Sequence, residues 1–156
     1  MKFPKPGEGT ETEAKAAEVW LTEGDVNATE DTTVILDVEG TADQAGMTFP
    51  FTASITIGSN RTPAITNPAM PSANPICHQR IVAPILVDIT PTNGGTLALE
   101  VDPRKMFNAV DFTKATKVSD SPTAYEIPDD SAAPGGALFS GLESSAAYSF
   151  TWTKRR

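Results

Sequence analysis

The sequence predicts an all-β fold: an antiparallel β-sandwich of six or seven strands with one short helix after the fifth strand, and a flattened β-barrel as the alternative. Three observations lead there. In the stretch from Met47 to Ile57, Phe49, Phe51, Ala53, Ile55 and Ile57 share one side of an extended chain, and Thr48, Pro50, Thr52, Ser54 and Thr56 share the other. Similar short alternating runs recur along the chain with turn residues between them. No apolar pattern of helical spacing lasts longer than about two turns. A strand with one greasy and one wet face belongs in an antiparallel sheet packed on a second layer.

The chain has 156 residues, enough for one domain with a core of its own and no need of staples. Residues 1–13 carry Pro4, Pro6, Gly7, Gly9 and three acidic side chains with little that is apolar, which predicts a flexible N-terminal arm. A single β-sandwich domain is expected over 14–153, followed by a basic tail at 154–156. The first strand is placed at Lys15 to Thr22, with Ala17, Val19 and Leu21 on one face and Glu18 and Trp20 on the other. The second runs from Thr32 to Glu39, and Gly40 to Gly46 turns the chain into the Phe49 strand.

From Gly58 to Gln79, Pro63, Pro68, Pro71 and Pro75 predict a long irregular loop. Arg80 to Thr90 returns to strand, with Ile81, Ala83, Ile85, Val87 and Ile89 on one face and Pro84 marking an edge or bulge on the other. Asn93-Gly94 then predicts a hairpin, because both residues tolerate positive φ, and Thr96 to Asp102 completes it with Leu97, Leu99 and Val101 inward. Asp102-Pro103 reads as a helix cap followed by a proline at the first helical position, and Met106, Phe107 and Val110 are expected to plug one end of the core. Lys114 to Gly136 reads as loop with a brief extended piece at Ala124 to Ile127. The last strand, Ala146 to Thr153, puts Tyr148, Phe150 and Trp152 on one face.

Composition narrows the function classes. Net charge is −8 with 20 acidic residues against 12 basic ones, which repels phosphate backbones and anionic lipid, so we expect no nucleic-acid partner. No run approaches the roughly 18 apolar residues of a membrane span, so no membrane insertion is expected. The lone Cys77 allows no internal disulfide and reads as a small buried side chain. The segment Met1 to Gly7 lacks the apolar core of a signal peptide, which leaves either a protein kept inside the cell or a mature secreted product with its export signal removed.

Chemistry-bearing patterns are few. Asp25, Asn27, Thr29 and Asp31 place oxygen ligands at every second residue, as calcium loops do. The match is partial, since Glu30 replaces the turning glycine and Leu36 stands where the twelfth-position acid belongs; an acidic hairpin turn explains the same residues. Met70, Cys77 and His78 are soft ligands of the sort copper takes, yet a blue-copper centre needs two imidazoles and the chain has one histidine. Cys77 and His78 are strand neighbours that point apart, which excludes a shared proton and a nucleophile–base pair. Gly94-Gly95 lies in a hairpin and Gly135-Gly136 in a Pro-rich loop, so neither forms a phosphate loop. Trp20 on a polar face could stack on a sugar ring or a neighbouring subunit; burial between layers explains it without any ligand.

The stretch from Gly95 to Phe112, with Phe49-Pro50-Phe51 and the closing Ser149-Phe150-Thr151-Trp152, resembles a type of exported bacterial β-domain, often lipoprotein-like, that has no assigned activity. Relatives of that type often carry an aromatic where this chain has Met106. The resemblance implies an extracellular or cell-envelope address and transfers no catalytic residue. Taken together, these features predict a non-enzymatic, exported β-sandwich without a cofactor, acting by protein–protein contact as a surface, filament or matrix subunit. Its partner is expected to be a second copy or another protein. A virion structural protein, such as a tail-tube or decoration subunit, is the alternative, and a carbohydrate-binding module the second.

Overall fold

The computed structural model describes residues 13–21, 34–56, 81–92 and 94–154. Within them the chain folds into eight strands: β1 (Ala14–Leu21), β2 (Val34–Gln44), β3 (Met47–Thr56), β4 (Ile81–Ile89), β5 (Thr96–Val101), β6 (Thr116–Asp120), β7 (Thr123–Ile127) and β8 (Tyr148–Thr153). They form a four-stranded sheet in the order β2-β3-β7-β6 and two ribbons, β1-β4 and β5-β8. All three contribute to one buried cluster, and no sheet closes into a barrel, so the molecule is an all-β, sandwich-like fold. The predicted arm lies outside the described residues apart from Glu13.

β3 is the element the core is built on. Its alternation is realised residue by residue, with Phe49, Phe51, Ala53 and Ile55 buried and Thr48, Thr52 and Ser54 exposed. Full burial of such an apolar side chain contributes about 1.5–3 kcal/mol. Around Phe49 and Phe51 the rings of Phe107, Phe112 and Tyr125 gather, with Phe51 and Phe112 centroids 4.9 Å apart and Phe49 and Tyr125 meeting edge-on at 5.1 Å. Pro50 sits in this central strand without harm to the ladder, because pairing with β7 begins at Phe51, one residue beyond the missing N–H.

Several elements differ from expectation. β2 continues through Gly40 to Gln44, and the turn is only Ala45-Gly46, both at positive φ, as a two-residue hairpin turn requires. The expected Asn93-Gly94 hairpin does not form, since β4 pairs with β1 and β5 with β8. Thr92 to Gly95 is a turn closed by a Gly95 N–H to Thr92 carbonyl bond of 3.2 Å, but it carries the chain from one ribbon to the next. Leu97 and Val101, expected inward, are 51 % and 39 % exposed, and only Leu99 packs against the core. β5 lies on an edge of the fold, where a single partner covers little of its face.

The expected loop from Lys114 to Gly136 holds the hairpin β6-β7, whose second strand runs parallel to β3 in an otherwise antiparallel arrangement. The short helix α1 (Gly135–Leu142) follows, with Leu138 and Leu142 fully buried. The turn after β5 is as read from the sequence: a 3-10 helix over Pro103–Phe107, with the Asp102 side chain accepting from the Arg104 N–H at 3.2 Å. Met106 and Val110 are buried there and Phe107 packs against them. Gln44 fastens the β2–β3 hairpin to this end of the core. Its Oε1 accepts from the Phe112 N–H at 2.7 Å, and its Nε2 donates to the Val110 carbonyl.

Candidate interaction surface

The residues singled out for metal chemistry, Asp25, Asn27, Thr29 and Asp31 for calcium and Met70, Cys77 and His78 for copper, lie outside the described residues. Trp20 takes its place in β1 opposite Val82, and its side chain is not described. Gly135-Gly136 opens α1 rather than lying in a loop: a Cβ on Gly135 would fall 2.0 Å from the Pro128 carbonyl oxygen, so the pair serves close packing. Among the described residues no three His, Cys, Asp or Glu side chains gather as a metal site.

Carboxylates beside a cation are held by a partner close by. Lys15 Nζ lies 2.6 Å from Glu13 and 2.9 Å from Asp88, and its hydrogen bond holds the Asp88 carboxyl below the usual range. Arg104 does the same for Asp102 through a 3.0 Å bond to Oδ1, while Lys114 pairs with Asp111 and Lys117 with Asp120. These are solvated, salt-screened pairs that add little to stability. A small depression of about 110 Å³ is lined by Glu100, Asp102, Lys105, Tyr148 and Ser149, where Asp102 is already committed to its cap.

Two surfaces stand apart. One is the outward face of the four-stranded sheet, with Asp37, Glu39, Thr41 and Asp43 of β2, Thr48, Thr52 and Ser54 of β3, and Glu126 of β7 all exposed. Thr52 stands opposite Glu39 on one side and Glu126 on the other. Asp43 accepts from the Thr48 hydroxyl at 2.6 Å; Asp37, Glu39 and Glu126 make no ion pair or side-chain hydrogen bond among the described residues. A shallow depression of about 450 Å³ crosses this face between Glu39, Thr41, Pro50, Thr52 and Ala124.

The other is the outward face of the β1-β4 ribbon. Ala83 and Ile85 of β4 are buried, but Leu86 is 92 % exposed, opposite Ala16 and beside the exposed Pro84, which stands opposite Glu18. The sequence reading missed this residue. Its signal was present, since Ile81 to Val87 is apolar at nearly every position, and a strand apolar on both faces has one face left over in a ribbon with a single core side. No protein-family model, no curated protein and no solved structure matches the chain.

Proposed function

We propose that the protein is a non-enzymatic, exported contact subunit that assembles with copies of itself, and that the β1-β4 ribbon is a docking face. The observation that carries this is Leu86, a large apolar side chain 92 % exposed on a rigid strand next to Pro84, rimmed by the Lys15–Asp88 pair. An apolar centre with a charged rim is the layout of protein–protein contacts, where desolvated aliphatic and aromatic groups supply affinity and charges set register. The resemblance to exported β-domains supports an address outside the cytoplasm, at the envelope or beyond.

Sedimentation velocity over a concentration series tests the reading. At salt high enough to screen contacts between exposed charges, the wild-type chain is expected to form species heavier than its 16.5 kDa monomer, and Leu86→Asp to remain monomeric with an unchanged melting temperature. Wild-type protein that stays monomeric at every concentration overturns self-assembly. A Leu86→Asp variant that assembles as well as wild type overturns the β1-β4 ribbon as the docking face.

A further inference from the structure

We infer that the outward face of the four-stranded sheet receives the basic run Lys154-Arg155-Arg156 of a second copy of this chain, joining copies face to tail. The inference rests on the contact-subunit reading above and names a second surface for it. β2, β3 and β7 contain no lysine or arginine, and Lys117 of the neighbouring β6 is paired with Asp120, so Asp37, Glu39, Asp43 and Glu126 make this face acidic. Elsewhere among the described residues, Lys15, Arg104, Lys114 and Lys117 are each taken up by a nearby carboxylate. Asp37, Glu39 and Glu126 have no such partner among the described residues.

Shape and spacing fit a basic segment. Neighbouring strands are about 4.8 Å apart, so Glu39 and Glu126 stand about 10 Å from one another across Thr52, and a depression of about 450 Å³ beside them is lined by Glu39, Thr41, Pro50, Thr52 and Ala124. A guanidinium entering between them can take a carboxylate with two parallel N–H bonds and relieve the repulsion between like charges. The complementary group is in the chain itself. Lys154-Arg155-Arg156 is its one run of three consecutive cations, and it follows β8 beyond the exposed Thr153 and Lys154. The donating and receiving surfaces are different parts of the molecule, so two copies that exchange basic runs close on a two-fold, and copies that pass the contact onward form a ring or a filament.

Solvent-exposed attraction of this kind is felt over about 30 Å at 10 mM salt and about 10 Å at 100 mM, so the contact should be strong at low salt and fade as salt rises. The experiment is sedimentation velocity of the full chain at low and high salt, with melting curves as the folding control. It compares wild type, Glu39→Lys/Glu126→Lys, Lys154→Glu/Arg155→Glu/Arg156→Glu, and a mixture of the two charge-reversed variants. Each variant alone is expected to lose the salt-sensitive association by about tenfold or more, and the mixture to recover it, because each then offers the other a complementary surface. Salt-sensitive association that survives either reversal, or a mixture that recovers nothing, overturns the docking. If assembly persists through both reversals and disappears only with Leu86→Asp, this contact falls and the contact-subunit reading stands; wild-type protein that is monomeric at every salt and concentration removes both.

Discussion

Two polar side chains hold together what the apolar alternation alone would leave loose. The Tyr148 hydroxyl donates to the Leu142 carbonyl at 2.9 Å inside the core, joining the start of β8 to the end of α1. Tyr148→Phe leaves that buried carbonyl without a donor and is expected to cost about 1–3 kcal/mol in chemical denaturation. Burial also raises the Tyr148 pKa, because phenolate is disfavoured where the ring sits. The unfolded chain loses this proton near pH 10 and the folded chain only above it, so stability is intact below pH 10 and declines as pH rises past it. Melting curves from pH 8 to 11 should show a steeper alkaline loss in wild type than in Tyr148→Phe. At the other end of the core, Gln44→Ala orphans the Phe112 N–H and should destabilise by a comparable amount, whereas Thr48→Ala, which removes only an exposed bond to Asp43, should change little.

At the level of elements, α1 is placed by contact between backbones. A Cβ on Gly141 would lie 1.8 Å from the Met106 carbonyl oxygen, so helix and 3-10 turn touch with nothing between them. Gly141→Ala must push them apart and is expected to cost about 1–3 kcal/mol, read as a lowered melting temperature, despite alanine's better helix propensity. What could be read from the sequence follows from this difference in mechanism. β3 and β8 were legible because their faces sort by polarity, β4 because it is a continuous apolar run, and the Asp102-Pro103 cap because its chemistry is local. β6 was not, and β7 was read only as a brief extended piece at Ala124 to Ile127, since Lys117, Ser119, Thr123 and Glu126 carry no alternation and the hairpin is held by pairing to β3, a partner some 70 residues away. The hairpin expected at Asn93-Gly94 is absent for the same reason: the bond from Gly95 N–H to the Thr92 carbonyl is local, but the choice of partner strand is settled by which face must reach the core. The four-carboxylate face was invisible until β2, β3 and β7 were set side by side, because Glu39 and Glu126 are brought together by register alone.

For the whole molecule, the interior is complete at β3, while the periphery leaves apolar and charged groups unmatched. Leu86 on one ribbon, Leu97 and Val101 on the other, and the carboxylates of the four-stranded sheet all face outward. A net charge of −8 keeps copies apart unless specific surfaces overcome it, so assembly of this protein should be selective and strengthened by salt at the apolar ribbon while salt weakens it at the acidic face. The most direct measurement of the central claim is the mass of the full chain in solution by sedimentation velocity as concentration rises. At salt high enough to screen the acidic face, the account predicts a shift from 16.5 kDa to multiples of that mass in wild type and none in Leu86→Asp; a single 16.5 kDa species at every concentration of the wild-type chain would contradict it.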